Sequence, residues 1–284
     1  MPIDSATGAE IAAGAYLSVK TVTKAVGRVV GPAADEVDEA LRVYTAFRLR
    51  NVYRIVERAE AKQRATGREG DVPPRVAHRV VDDGSYCDDE LMVEYLGGLL
   101  AGSRSPGGRD DRAATYCSLI TSLSTIQIRG HYVLYREWAA LLPGRGSTEM
   151  GKAEVREKAM LCAPTDAFVR LVDPEGNLGV EAAVHALAGL QRTGLIEDNW
   201  GVEARENSTV VRNAPFPHLV RAQPSIVGME LYGWAQGLPG LLASEFIAQA
   251  EPFDTNPPVP RLDGAYLPKL ADVAGAGSAA DGST

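Results

Sequence analysis

The stretch NLGVEAAVHALAGLQRTGLIE, residues 177–197, decides how the second half of the chain folds. Asn177 can cap a helix over residues 178–193, because its side-chain oxygen can accept a hydrogen bond from an amide of the first turn. Gly194 can end that helix in the left-handed conformation. Residues 195–197 then predict a short strand. The stretch therefore predicts a helix that turns directly into a strand.

The residues on either side of this helix complete an order of elements. Apolar periodicity predicts short helices before it, and alternating apolar residues predict a hairpin after it. The predicted elements are helices near residues 148–161 and 166–172, strands at 208–212 and 218–222, and a helix capped by Ser225. The order is helix, glycine, short strand, hairpin and helix, which is typical of a winged helix-turn-helix. It predicts a winged helix-turn-helix-like α+β domain over residues 148–250.

The first half of the chain has the apolar periodicity of helices. We predict a helical domain over residues 32–142, followed by a linker at 143–147, where the sequence PGRGS breaks both neighbouring helices. Ser124 and Gln127 have the spacing of a capping box at the start of a helix that reaches Leu142. The predicted fold is therefore mainly α, with an N-terminal helical bundle followed by the winged helix-turn-helix-like domain.

Three further segments are interpreted from their local composition. Glycines and prolines at residues 67–74 predict a linker after a long helix. Ser85 or Asp88 can cap the helix that comes next. Residues 251–284 are rich in Pro and then in Gly, Ala and Ser, which predicts an extended or disordered tail.

The first 31 residues predict a separate amphipathic helix. Its apolar face consists of Ile11, Ala15, Val19, Val22, Val26 and Val29. Lys20, Lys24 and Arg28 line another face. Such a helix can pack through its apolar face and leave the basic face in solvent, or it can lie on a membrane surface. These three residues are therefore candidates for an assembly face or a peripheral membrane contact.

A long helix follows Gly31-Pro32, and its charges are segregated along its length. Acidic residues occupy the first turns, whereas Arg48, Arg54 and Arg58 lie in later turns, as the helix dipole favours. The arginines either form a solvated helix end or bind a partner or a phosphate. We therefore treat them as candidate binding residues.

The winged helix-turn-helix prediction raises the question of DNA binding through residues 178–193. The candidate contacts in that helix and in the wing are His185, Arg192, Arg205 and Arg212. The helix offers few cations to neutralise phosphates, and the formal net charge of the whole chain is -8. These charges disfavour DNA and favour a protein-interaction module.

No pattern in the sequence predicts an active site. Gly146, Gly151 and Lys152 have the spacing of a phosphate-binding loop, but Ala153 stands where a hydroxyl would bind magnesium. The acidic cluster at residues 82–90 fits helix capping better than metal binding. The histidines occur singly, and the cysteines have no metal-ligand spacing. We therefore expect no catalytic residue, cofactor, metal or small-molecule substrate.

Composition and the start of the chain predict where the protein is found. The apolar fraction of 45% and the charged fraction of 23% are ordinary for a globular protein. The first residues lack the basic and apolar regions of a signal peptide, and no run of residues is apolar enough to span a bilayer. The expected location is the cytoplasm.

Short motifs spread over residues 20–240 resemble a known family. The motifs are Ala25-Val26-Gly27, Gly31-Pro32-Ala33, the set Asp88, Asp89, Glu90, Leu91, Tyr95, Leu99, Leu100 and Ala101, then Leu123-Ser124, Pro224-Ser225 and Gly228-Met229-Glu230-Leu231. Together they resemble the bacterial abortive-infection alpha family, which is associated with phage resistance. The SRSPGGRDD loop at residues 103–111 and the long C-terminal arm depart from the family's pattern.

The resemblance implies a role in defence and supplies no catalytic residues. We therefore expect a non-enzymatic component of anti-phage defence of the abortive-infection type, which acts as a homo-oligomer and binds a protein partner. A transcriptional regulator that binds DNA through residues 178–193 is the alternative. An NTPase that uses Lys152 is a third hypothesis.

Overall fold

A computed structural model describes residues 34–142, 150–208, 214–239, 253 and 255–269. The described chain is mainly helical and has one small antiparallel sheet. Within it, no helix combines the length and the apolar character needed to cross a lipid bilayer. The predictions that lie outside the described residues are the helix over residues 1–31 with Lys20, Lys24 and Arg28, the linker at 143–147, and Arg212.

The elements follow one another in two groups. The first group consists of α1 (Ala34–Thr66), α2 (Pro74–Gly84), α3 (Glu90–Gly102), α4 (Ala113–Thr121) and α5 (Thr125–Leu141). The second consists of α6 (Ala153–Lys158), β1 (Leu161–Pro164), α7 (Thr165–Val172), α8 (Val180–Arg192), β2 (Gly201–Ala204), β3 (His218–Ala222) and α9 (Ile226–Ala235). The long helix predicted after Pro32 is α1.

Helix α3 passes between α1 and α9 at a pair of glycines. A Cβ atom at Gly97 would lie 2.7 Å from the Cβ of Arg58, and one at Gly98 would lie 1.9 Å from the carbonyl oxygen of Ala235. Side chains at these two positions would push the helices apart. The glycine pair therefore lets α3 lie buried at the centre of the bundle.

Helix α3 begins at an acidic cap. The carboxylate of Asp89 accepts hydrogen bonds from the amides of Leu91 at 3.0 Å and Met92 at 3.1 Å. The extended backbone at Asp89 lets the side chain fold back onto the first turn. The prediction that Ser85 or Asp88 caps this helix is therefore wrong.

Two other predicted caps are confirmed. At the start of α5, the amide of Ser124 donates to Gln127 Oε1 at 3.0 Å, and the amide of Gln127 donates to Ser124 Oγ at 3.3 Å. At the start of α9, Ser225 Oγ accepts a hydrogen bond of 3.0 Å from the amide of Gly228. Both caps lie within three residues of their partners, which is why local spacing predicts them.

Residues 67–74, predicted as a linker, are tied to the loop after α3. Asp71 and Ser105 exchange two backbone hydrogen bonds of 3.1 Å. Gly70 makes this approach possible, since a Cβ atom there would lie 2.4 Å from the carbonyl oxygen of Ser105. The segment is therefore a packed turn, and the linker prediction is wrong.

The three strands pair in the order β1–β3–β2, and both neighbours of β3 are antiparallel to it. In this register Leu161 lies opposite Ala222, and Gly201 lies opposite Arg221. The strand predicted at residues 218–222 is confirmed as β3.

The sequence did not predict the other two strands. Strand β1 falls between two predicted helices, and β2 lies before the predicted strand at 208–212. Ser208 follows a 3₁₀ turn, and residues 209–213 lie outside the described residues. Both strands have four residues, which is too short for an alternating pattern to distinguish them from other structure.

The decisive stretch folds as the helix α8, close to the predicted span of residues 178–193. Gly179 occupies the N-cap position, so the predicted cap Asn177 is wrong. Gly194 has a φ of +72°, which confirms it as the left-handed residue after the helix. Residues 195–197 form no strand and contribute a single isolated bridge.

Helix α5 connects the two groups of elements, because it packs against both α7 and α8. The approach of α5 to α8 depends on two glycines. A Cβ atom at Gly130 would lie 3.1 Å from the Cβ of Ala186, and one at Gly189 would lie 2.0 Å from Gln127 Nε2. The apolar core therefore continues from the helical bundle to the α+β elements.

The described part of the C-terminal arm, residues 255–269, packs on the rest of the chain. Arg261 pairs with the buried carboxylate of Glu137 on α5, with an Nε to Oε1 distance of 2.8 Å. Tyr266 and Cys162 exchange backbone hydrogen bonds of 2.9 Å along the free edge of β1. This segment thus covers a sheet edge that would otherwise present unpaired amides.

Candidate partner-binding site

The exposed face of α8 carries apolar side chains. Val180 is 57% exposed and Val184 is 43% exposed, and Leu178, just before the helix, is 45% exposed. The opposite face is buried and consists of Ala182, Ala183, Ala186, Leu187 and Leu190. Val180 and Val184 are four residues apart and so lie on the same face of the helix. Together with Leu178 we call them the α8 patch, and exposed apolar side chains on a firmly packed helix make this face a candidate binding surface.

Polar residues lie beside this patch. Two of them, His185 and Arg192, were predicted as contacts, and the structure places them in different surroundings. His185 Nε2 lies 3.0 Å from Ser124 Oγ, so His185 is held at the start of α5. Arg192 lies in the last turn of α8 and Glu181 in the first, as the helix dipole favours. No local pattern could indicate the contact of His185, because 61 residues separate it from Ser124.

The Ser124–His185 pair has the hydrogen bond of a nucleophilic serine with its base. The same serine oxygen, however, accepts the capping bond from Gln127. Neither residue lines the cleft that lies between the start of α3, α5, α7 and the C-terminal arm. The geometry is therefore that of a helix cap supported by a neighbouring helix.

Two arginines lie at the strands that follow α8. Arg205 begins the 3₁₀ turn after β2, is exposed, and donates from Nη1 to the carbonyl oxygen of Ala214 at 3.3 Å. Arg221 donates from Nε to Glu203 at 2.9 Å across the β2–β3 pair. Only Arg205 of these two therefore presents its charge mainly to solvent.

The electrostatic character of this part of the chain is acidic. Residues 150–239 contain eight Lys and Arg and eleven Asp and Glu, a net charge of −3. Some of these cations are paired, since Arg156 lies 2.9 Å from Glu197 and Arg170 lies 2.8 Å from Asp166. The described surface around α8 thus lacks the concentrated positive charge of a nucleic-acid footprint.

The three arginines predicted as a partner surface on α1 face acidic groups of the same chain. The ion pairs are Arg48–Asp82 at 3.6 Å, Arg54–Glu90, and Arg58–Glu94 at 2.8 Å. Arg48 also donates to Ser85 Oγ at 2.8 Å. The arginine run and the acidic cluster therefore neutralise each other where α1 meets α2 and α3.

Lys62 extends this network below the surface. Its ammonium group pairs with Glu94 and lies 4.3 Å from the centre of the Phe253 ring. Burial lowers the pKa of Lys62, and the carboxylate of Glu94 opposes this shift. The pair is a structural element, since each charge stabilises the other inside the protein.

A cleft of about 600 Å³ lies between the start of α3, α5, α7 and the C-terminal arm. Its polar lining includes Asp88, Asp89, Glu90, Arg129, Arg170 and Arg261, and its arm side is rich in proline. Arg129 lies 3.3 Å from Asp89, so part of this charge is neutralised within the cleft. None of the residues predicted as binding sites lines this cleft. Its walls come from distant parts of the chain, so no local sequence pattern could predict it.

Burial shifts the pKa of one histidine and of all three cysteines. Burial lowers the pKa of His131 to about 3, so this histidine is neutral, and its Nε2–H donates to the carbonyl oxygen of Gly228 at 3.1 Å. Burial raises the pKa of Cys87 to about 11 and those of Cys117 and Cys162 to about 12. Thiols with such a high pKa are poor nucleophiles at neutral pH.

The described residues offer no metal site, since they contain no group of three or more His, Cys, Asp or Glu side chains arranged to hold an ion. Lys152, the candidate lysine of a phosphate-binding loop, lies before the six-residue helix α6. Gly146, the first glycine of that pattern, lies outside the described ranges.

Comparison with known proteins identifies no relative: no family model, no curated protein and no solved structure matches this chain. Function is therefore inferred from the exposed side chains, the charges and the packing of the chain itself. The exposed apolar side chains of Leu178, Val180 and Val184 make the face of α8 the candidate partner-binding site.

Proposed function

We propose that residues 153–222 form a winged helix-turn-helix domain. Its support is the element order, in which α6, β1, α7, α8, β2 and β3 follow one another and the strands pair as β1–β3–β2. In that arrangement α7 and α8 are the helix-turn-helix, and α8 is the helix that a DNA-binding relative would insert into the major groove. Among the described residues, the 3₁₀ turn Arg205–Asn207 lies at the position of the wing.

We propose further that this domain binds a protein. The observation that carries this proposal is the apolar patch of Leu178, Val180 and Val184 on the position of the recognition helix. Transfer of apolar side chains from water into a partner's surface is favourable, whereas binding of DNA phosphates requires cations. A partner that fits this patch presents an apolar surface, with polar groups for Glu181 and Arg192 at its rim.

The biological setting that we propose is anti-phage defence. The chain is then a non-enzymatic component of an abortive-infection-type system, acting through self-association and partner binding. The support is the likeness of the motifs around Asp89, Ser124 and Ser225 to the abortive-infection alpha family. A phage challenge tests this setting, with bacteria that express the protein compared with bacteria that carry an empty vector.

The expected result is protection at low multiplicity of infection and collapse of the culture at high multiplicity. Death of infected cells before phage release produces this pattern. Unchanged plaquing across a broad phage panel would contradict the defence role.

A DNA-binding regulator is the second candidate, favoured by the same element order and by the exposed Arg192 and Arg205. It predicts that affinity for duplex DNA falls steeply with salt. Replacement of Arg192, Arg205 and Arg212 by Ala would then flatten the slope by about three units of log affinity per log salt, one for each lost phosphate contact. The protein-binding proposal predicts no specific DNA complex and therefore no such slope.

A further inference from the structure

Helix α1 has a second apolar face besides the one that packs on α3. Ile55 and Ala59 are buried against the rest of the bundle, whereas Tyr53 is 54% exposed and Val56 is 36% exposed. On a helix these exposed residues lie away from the buried face. Tyr53 and Val56 therefore mark an outer face of α1 that is exposed to solvent in the described part of the chain.

The outer face follows a regular pattern along the helix. Its positions are Arg42, Ala46, Leu49, Tyr53, Val56 and Glu60. They are spaced by four, three, four, three and four residues, which is the spacing of the contact positions in a coiled coil. All of these side chains are exposed except Leu49, which is half-buried. The pattern therefore fits packing against another helix.

The order of residues in this pattern is complementary to itself in the antiparallel direction. An antiparallel copy would place Arg42 opposite Glu60, Ala46 opposite Val56 and Leu49 opposite Tyr53. Each small or aliphatic residue then meets a larger one, and Arg42 meets Glu60, which within its own chain also lies 3.9 Å from Arg64. A parallel copy would place like charges opposite each other at both ends, which is unfavourable.

We propose that this face of α1 is an interface between two copies of the chain, paired antiparallel about a two-fold axis near residue 51. A two-fold axis requires that each contact occur twice with the partners exchanged. The reciprocal pairs 42 with 60, 46 with 56 and 49 with 53 meet that requirement. An unrelated partner would have no reason to match a pattern that is complementary to itself, so a second copy is the occupant.

This inference rests on the self-association that is part of the proposed function and names its surface. Analytical ultracentrifugation of the full chain over a range of concentrations tests it, with the variants Arg42→Glu and Glu60→Arg. Each variant alone places two like-charged pairs in the dimer and should raise the dissociation constant about tenfold. An equimolar mixture of the two variants restores both opposite-charge pairs, so the mixture should dimerise as the wild type does.

The control is Arg109→Glu, which makes the same charge change in the exposed loop after α3. It should leave dimerisation unchanged. Circular dichroism establishes that each variant keeps its helix content. A dimer that responds to neither variant would overturn the interface and leave self-association intact. A chain that stays monomeric at every concentration would overturn both, while partner binding through α8 would still be open to its own test.

Discussion

The sequence offers α1 and α8 as the two candidate binding helices. The two helices differ in which kind of side chain faces solvent. On α1 the conspicuous arginines turn inward to the acidic residues of α2 and α3. On α8 small residues turn inward and valines stay in solvent. Charged residues that look like a docking surface in the sequence can therefore be internal ion pairs. Exposed apolar residues, which look like core, are better candidates for binding.

On α1, loss of the buried carboxylate of Glu94 should destabilise the fold most. Glu94→Gln removes the carboxylate that Arg58 and Lys62 share and leaves a buried lysine without its counter-charge. The free energy of unfolding should fall by about 3–5 kcal/mol. Urea denaturation followed by circular dichroism measures it.

The matched control for this variant is Glu181→Gln on the exposed face of α8. It should change the free energy of unfolding by less than about 0.5 kcal/mol. Equal effects of the two variants would show that the network below α1 is no more important to stability than a surface glutamate.

A smaller effect contrasts the buried His131 with the exposed His185. Burial holds the pKa of His131 at about 3, below the ordinary value of 6.5 that it regains on unfolding. Below pH 6.5 this histidine therefore binds a proton in the unfolded chain but not in the folded chain. The free energy of unfolding consequently falls as the pH falls. Between pH 6.5 and pH 5 the loss from this group should be about 2 kcal/mol.

Urea titrations at several pH values measure this loss in the wild type, His131→Gln and His185→Gln. His131→Gln should flatten the dependence of stability on pH in this range, whatever its effect at pH 7. The flattening in His131→Gln beyond any seen in His185→Gln measures the contribution of the buried histidine. A wild-type slope in His131→Gln would rule out the buried histidine as its cause.

On α8, loss of the exposed valines should affect stability least. Val180→Ser with Val184→Ser should lower the free energy of unfolding by less than about 1 kcal/mol, because both side chains are largely in solvent in the folded chain. Leu187→Ser on the buried face should lower it by about 3 kcal/mol or more. A severe loss in the valine variant would show that these residues are core and not a binding surface.

Local sequence patterns predict the features whose causes are local. The capping box of Ser124 and Gln127, the cap at Ser225 and the left-handed Gly194 each depend on contacts a few residues apart. The mainly helical fold and the strand at residues 218–222 followed in the same way from apolar periodicity.

Contacts between distant residues account for what could not be predicted. The arginines of α1 meet acids that are more than 30 residues away, and the arm residue Arg261 meets Glu137 across 124 residues. Strand β1 has four residues and owes its conformation to pairing with β3. Spacing in a single sequence carries no information on which of many possible partners a side chain meets in the folded chain.

Phage plaquing with the Val180→Ser/Val184→Ser variant tests partner binding through α8. The variant is compared with the wild type and with Val81→Ser, which removes a partly exposed valine from α2. The claim predicts that the wild type and Val81→Ser protect equally and that the double variant, expressed at the same level, plaques like the empty vector. Full protection by the double variant would contradict a role for the α8 patch.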